Sequence, residues 1–454
     1  MTKQLSRRQF LQISGAGLAS LALAACAAPG AAPATSGGQG AAAPSTAAVT
    51  VKLMNANWGE LYNGLMTKIS DDYTAAHPNV KFEWDFVQEW ETKLLTSVAG
   101  GTPPDANYTN LDRQATLAAK NTFAPLDDFI QTGGYKTDDF VSALYQASLY
   151  NGKLYALPGG ADYITQFWSK DVYKAAKLDP EKPPKTADEL IEHSKSILKK
   201  DANGDIQVAG YIPSVGDYIR WAFIYGGQFY DEANKKITAN HPANVQALQW
   251  LADYVKLLDV DKLSAFAQRP GYSAAGNPFS TKQSAYLFNG FWAYEALDQY
   301  APDIDYAITT WPTLKGTPEE MKNYQIGGWM YAIPNGAKQA DTAWQFLKYA
   351  FIDESAKMGY LTLNGPCYKP AFKAFEDGVR KQIGEKNRMS PYLDTFTLTG
   401  ANGTKYWPVI EVNAFYNDEI TRIYDFVMRG QKTAQQGLDE VTQTVQAEMD
   451  KTKA

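Results

Sequence analysis

The chain has 454 residues, 45% of them hydrophobic and 20% charged, enough to bury the cores of two domains. Its 43 Lys and Arg against 49 Asp and Glu give a formal net charge of −6, which disfavours nucleic acid or another polyanion as a partner. With two cysteines and three histidines, there is little material for a disulfide framework or a metal centre.

Residues 1–25 set Arg7 and Arg8 before an apolar stretch from Ile13 to Ala25, diluted by Gly and Ala and too short to cross a bilayer. The pattern is that of a signal peptide. Ser6-Arg7-Arg8-Gln9-Phe10-Leu11 is similar to a twin-arginine signal, and Leu23-Ala24-Ala25-Cys26 is similar to the end of a bacterial lipoprotein signal. These resemblances imply that Cys26 is lipid-modified and heads the mature chain, holding it to the outer side of a membrane. Loss of Lys3, Arg7 and Arg8 with a leader that contains no acid takes the net charge from −6 to −9. Residues 26–48 carry no charge, no aromatic ring and no periodicity, so they read as a flexible tether. With Cys26 lipidated, Cys367 has no partner for an intramolecular disulfide.

The folded body begins near Val49. Val49, Val51 and Leu53 alternate with Thr50 and Lys52, the period of a strand, and a loop follows from Asn55 to Gly59. Tyr62, Leu65, Met66, Ile69 and Tyr73 recur at helical spacing until His77-Pro78-Asn79 stops them. Val80, Phe82, Trp84 and Phe86 give a second strand; Leu94, Leu95 and Val98 give a second helix, ended by Gly100-Gly101. This order predicts right-handed crossovers and a parallel sheet with helices on both faces. Beyond Pro158 the texture repeats with new content. Thr186 and Glu189 form a capping box heading a helix to about Lys200, and Ala343, Phe346, Leu347, Ala350 and Phe351 mark an amphipathic helix.

No metal or cofactor is expected. His77 and His241 precede prolines and read as helix stops, His193 falls within a predicted helix, and none has a ligand neighbour at useful spacing. Asp201 to Asp205 opens like a calcium loop, but Ile206 and Ile212 stand where Gly and Glu are required, so the segment reads as a solvated turn. The unusual resource is aromatic, with 11 Trp and 28 Tyr. Trp84, Trp250 and Trp344 read as core. Trp58, Trp90, Trp221, Trp292, Trp311 and Trp329 instead adjoin loops, glycines or strand ends, and Trp58 and Trp90 directly follow the first two strands, where open α/β sheets bind ligands. Asn55, Asn57, Glu60, Gln88, Glu89, Asn107 and Asp112 accompany them. Flat rings that cover C–H-rich faces, edged by amides and carboxylates that bind hydroxyl pairs, suit a sugar.

Several segments in order, "AAHPNVKFEW", "VAGGTPPDA", "FAPLDDFI", "GKLYALP", "NPFSTKQSAYLFNGFWA", "GGWMYAIPNGAKQADTAWQFLKYAF" and "LNGPCYKP", resemble the family 1 extracellular solute-binding proteins. This is the oligosaccharide-binding group of ABC importers that includes the maltodextrin-binding proteins. The likeness runs from Val49 to Lys453. It implies an α/β, two-lobed periplasmic-binding-protein-like fold of type II, with discontinuous lobes joined by crossing hinge strands. Lobe one would comprise residues 49–160 plus 328–364, and lobe two residues 161–327 plus 365–454. The cleft positions implied are Trp58, Glu89, Trp90, Asn107, Asp112, Tyr163, Trp221, Trp292, Gly328, Trp329 and Tyr368. Two places depart from the family: Lys282-Gln283, where Gly-Lys is common, and Ser169, where Asn is common. Both read as structural.

The function so implied is that of a monomeric, lipid-anchored extracytoplasmic receptor. It captures a sugar, of oligosaccharide type, by hinge closure and delivers it to an ABC transporter permease, with no cofactor and no chemistry. Two alternatives stay open. One is a receptor of the same fold for a glycerol phosphodiester, polyamine or peptide. The other is a secreted glycoside hydrolase with Glu89 and Asp112 as its carboxylate pair.

Overall fold

The two runs of alternating residues near the start pair with each other. In the computed structural model, which describes residues 48–385, 387–395, 399 and 403–452, strands β1 (Val49–Ala56) and β2 (Val80–Val87) run parallel in register from Val49↔Val80 to Ala56↔Val87. The leader, Cys26 and all of the tether but its last residue lie outside the described residues. Helix α1 (Glu60–Ala76) connects the two strands and ends where the His77 amide bonds the Tyr73 and Thr74 carbonyls ahead of Pro78. Helix α2 (Trp90–Ala99), closed by Gly100, leads to β3 (Ala106–Asn110), which pairs in parallel with β1. This much follows the predicted alternation.

After α3 (Gln114–Ala119) and β4 (Leu157–Asp162) the chain leaves this sheet through Tyr163 and Ile164 alone and enters β5 (Thr165–Ser169). There it builds α4 (Ala187–Ile197), α5 (Val215–Ile224), α6 (Pro242–Leu258), β6 (Tyr286–Asn289) and β7 (Tyr306–Thr309). It returns through residues 310–326 to β8 (Gly327–Ala332) and α7 (Ala340–Lys348), and ends in α8 (Asn413–Met428) and α9 (Ala434–Lys451). The five-stranded sheet has the order β2-β1-β3-β8-β4 and the three-stranded sheet β6-β5-β7, beside three two-stranded ribbons among the described residues. The first two are the central sheets of two α/β lobes. The expected parallel sheet is corrected: β8 is antiparallel to both β3 and β4, and the three-stranded sheet is antiparallel throughout. Only strands joined by a helical crossover must run parallel. Because β8 enters from the other lobe, its direction is set by the point of return.

A third passage touches the same place. The Ala161 amide bonds the Gly365 carbonyl at 2.8 Å and the Gly365 amide bonds the Ala161 carbonyl at 3.2 Å, while Gly327 pairs with Asp162. Three chain segments thus lie side by side at the end of β4.

Locally, the capping box forms as read: Thr186 Oγ1 accepts the Glu189 amide at 3.1 Å and the Glu189 carboxylate accepts the Thr186 amide at 3.2 Å. The helix stops at Ile197, short of Lys200, because Lys199–Lys200 pairs with Ile206–Val208. His241 does not stop a helix but opens one. Its ring Nδ1 accepts the Ala243 amide at 3.3 Å, and Pro242 takes the first helical position, where a missing N–H costs nothing. The Asp201 turn is solvated as expected, with one carboxylate oxygen accepting the Asn203 and Asp205 amides at 2.9 Å. Ser169 caps the following short helix through the Val172 amide.

Thr186→Ala removes the side-chain acceptor of this box and should cost about 1 kcal/mol of unfolding free energy. Urea denaturation checks it: the midpoint falls and the slope is unchanged.

Candidate functional site

The segment between β1 and α1 is short and held by two asparagines. Asn57 Oδ1 accepts the Gly59 amide and the Asn63 side-chain amide, both at 3.0 Å, and Asn63 Oδ1 accepts the Trp58 amide at 3.2 Å. Gly59 turns the chain at φ 95°, a conformation that a Cβ disfavours. Trp58 is thereby fixed over the carboxyl end of the sheet. Its ring meets Tyr108 edge to face at 5.2 Å and Trp329 at 5.4 Å. Trp329 lies opposite Gly160 in the β8–β4 pairing, at a register shift. A Cβ on Gly159 or Gly160 would come within 2.2 or 2.5 Å of its ring, so the indole occupies the volume those two side chains would take.

The second lobe contributes the facing wall. β6 ends in Asn289, whose Oδ1 accepts the Gly290 amide at 2.9 Å, and the Trp292 ring lies where a Gly290 side chain would stand. Tyr272 comes from the loop before β6. Tyr62, on α1 of the first lobe, donates its hydroxyl to the Trp292 carbonyl at 2.9 Å and so spans the two walls.

At the base stands Asp162, the last residue of β4, accepting from the Asn364 side-chain amide at 3.1 Å. Burial pushes its carboxyl up to about 6, against the opposing pull of the Arg220 guanidinium. Arg220 itself is held inside the second lobe, 3.7 Å from Asp217 and over the Trp311 ring at 5.6 Å. The cleft is open to solvent and has a volume of about 430 Å³, within the range of small-molecule sites. Among its described lining residues Asp162 is the one charged side chain. A larger hollow of about 680 Å³ is lined by Lys120, Lys235, Glu232 and Glu411 and contains no tryptophan.

Of the positions read from sequence, Trp58, Trp292, Gly328 and Trp329 converge on this cleft. The others are placed elsewhere. Trp221 is 0% exposed: α5 turns it into the core, 4.8 Å from Trp250, with its indole N–H on the Tyr211 hydroxyl at 3.1 Å. Trp311, 5.8 Å from Trp221, shares that core. Asn107 is buried within β3 and bonds the Tyr108 carbonyl, and Trp90 backs Tyr108 at 5.4 Å from behind the cleft wall. Glu89 is exposed just ahead of α2. Asp112 accepts from Asn417 of α8 at 2.9 Å, beside Arg113, which pairs with Asp418 at 2.8 Å. Tyr163, in the crossing, bonds the Pro366 carbonyl at 3.2 Å, and Tyr368 packs on Phe140 at 5.5 Å.

Sequence reasoning missed Asn110, Asp162 and Asn289 as lining residues, although one signal points to all three: each is the polar residue at the end of its strand. Tyr62 belongs to the repeating helical face of α1 and Asn364 stands at the expected end of lobe one, while Tyr108 and Tyr272 carry no local signal. Among the described residues no group of three or more His, Cys, Asp and Glu side chains is arranged to hold a metal.

The sequence profile described as bacterial extracellular solute-binding protein matches residues 55–357. The arabinooligosaccharide-binding protein of Bacillus subtilis is 23% identical over 404 residues, covering 83% of this chain and 89% of that protein. The sn-glycerol-3-phosphate-binding periplasmic protein of Escherichia coli is 24% identical over 427 residues, 87% of this chain and 91% of that protein. Among solved structures, CpMnBP1 with mannotriose bound superposes with a TM-score of 0.74 at 24% identity, covering 87% of this chain and 100% of that one. A substrate-binding protein of Listeria monocytogenes in complex with cycloalternan gives 0.73 at 18% identity, over 88% and 99%. The fold is that of the type II periplasmic-binding proteins.

Because the folded chain holds the Asp162 proton more tightly than the unfolded chain does, this residue favours folding most at low pH. That contribution is lost as pH rises from 3.8 through about 6. Asp162→Asn cannot ionise. Above pH 6 it should therefore melt at a higher temperature than wild type, and the gap should close as pH falls toward 3.8; a pH-independent gap would contradict this account of the site.

Proposed function

The chain belongs to the bacterial extracellular solute-binding proteins, and from that premise we propose that it is an extracytoplasmic receptor for a neutral sugar of oligosaccharide type. The observation that carries this reading is the composition of the cleft. Trp58, Trp292 and Trp329 offer flat apolar faces, Asn110, Asn289 and Asn364 offer paired donors and acceptors, and the one charged side chain is acidic. Rings cover the C–H faces of a pyranose or furanose, and planar amides bind its hydroxyls two at a time.

The same composition argues against an anionic ligand. A phosphate asks for Arg, Lys or a helix N-terminus, and the described lining supplies neither Arg nor Lys, while Asp162 repels. A cationic solute is the second reading, since aromatic faces with a carboxylate also hold ammonium groups. Against it, burial opposes the ionisation of Asp162, and the Arg220 guanidinium already acts as its counter-charge. Glycoside hydrolysis needs two carboxyl groups flanking a bond. Glu89 and Asp112 stand outside the lining, which supports a binding protein that performs no chemistry.

In this reading residues 49–160 plus 328–364 form one lobe and 161–327 plus 365–454 the other, an assignment supported by the membership of the two sheets. A ligand that touches both walls binds the closed arrangement better than the open one and shifts the population toward it. The closed, loaded monomer passes its cargo to an ABC transporter permease. Export on the leader of residues 1–25 and a lipid on Cys26 complete the proposal, keeping the receptor beside the membrane.

Intrinsic tryptophan fluorescence tests it. Titrated with mannotriose, arabinooligosaccharides, sn-glycerol 3-phosphate and spermidine, the protein should give a saturable change with a neutral sugar and form no product. Trp329→Ala should weaken that binding by about five-fold or more. Response to the phosphate or the amine with all sugars silent would replace the sugar claim.

A further inference from the structure

One hydrogen bond of the cleft joins the lobes without any need for a ligand. Tyr62 leaves α1 half-buried, and its hydroxyl reaches the Trp292 carbonyl, 230 positions along the chain and in the facing wall, at 2.9 Å. Tyr272 stands beside both the Tyr62 hydroxyl and the Trp292 indole, so three side chains from two lobes meet at one point. Elsewhere the lobes are tied through α3 and α8: Thr116 Oγ1 bonds Asn413 Oδ1 at 2.7 Å, and Arg113 pairs with Asp418 at 2.8 Å. A rotation that opens the cleft must break the Tyr62 bond, because its donor and acceptor sit on opposite walls of the opening.

We propose that Tyr62 is a positioning residue that holds the cleft closed in the absence of ligand and fixes Trp292 across from Trp58. Its phenol proton is committed to the protein, so it acts through closure. Apparent affinity scales with the fraction of chains already in the binding-competent state. A net hydrogen bond of ordinary strength alters the closed-to-open ratio roughly 2- to 10-fold. That factor applies to every ligand alike, leaving the order of preference untouched. The inference goes beyond the sugar reading and holds for any solute.

The test is run without ligand on the chain lacking its leader and carrying Cys26→Ser, which leaves the two introduced thiols and the buried Cys367, so its failure and that of the sugar reading are separable. Nitroxide labels at Lys68→Cys and Gln268→Cys, exposed positions on α1 and in the other lobe, report the distance across the opening by double electron–electron resonance. Wild type should show a dominant short distance. Tyr62→Phe, which keeps the ring and removes only the hydroxyl, should raise the open-to-closed ratio roughly 2- to 10-fold with an unchanged circular dichroism spectrum. Tyr300→Phe, on an exposed ring, should match wild type. Identical distributions for wild type and Tyr62→Phe, or a wild type that is already open, would overturn the proposal.

Discussion

The backbone at the end of β4 is the constraint on which the rest depends. Ala161 is bonded in both directions to Gly365, and Asp162 faces Gly327, so the outgoing chain and two other passages share a few peptide units. Around this joint the two sheets are set apart, and the cleft opens between them, while α3 and α8 make a second, buried tie through Thr116 and Asn413. Tyr163 fills the space above Gly365, where a Cβ would come within 2.0 Å of its ring, and bonds the Pro366 carbonyl. The joint is buried like a core, with Ala161 0% and Tyr163 5% exposed.

The cleft walls repeat that device. Trp329 rests on Gly159 and Gly160, and Trp292 on Gly290, so each indole is seated on bare backbone. Seating of this kind holds a large ring in one orientation with few polar contacts. Both rings line the cleft, Trp329 with 6% of its surface exposed. Trp58 is oriented differently, by the Asn57 and Asn63 bonds of a short turn, and closes the aromatic row against Tyr108 and Trp329.

Charge is kept at a distance in this arrangement. Arg220 and Asp217 lie within the second lobe behind Trp311, and the Arg113–Asp418 pair joins α3's approach to α8 away from the rings. What reaches the cleft is Asp162, an acceptor whose ionisation burial opposes. A site of amides, rings and one reluctant acid selects by shape and hydroxyl pattern, and it gains little from the long-range fields that steer ions.

By itself the sequence determined the local elements. Period-two and helical spacing located β1, β2 and α1, Thr186 and Glu189 announced α4, and Gly100 the end of α2, because each depends on neighbours within a few residues. It also placed the chain among solute-binding proteins through segments scattered in order along its length. The direction of β8 was decided only by the tertiary structure, since that depends on where the chain re-enters a sheet. So was the choice among tryptophans. Trp221 and Trp292 both stand near glycines in the sequence, yet α5 rotates Trp221 into contact with Trp250 and Tyr211, whereas Trp292 sits on Gly290 at a strand end. Asp162, Tyr62 and Tyr272 became one site for the same reason. A cleft between lobes is made by residues far apart in the chain, and periodicity carries no information about which distant surface a side chain will face.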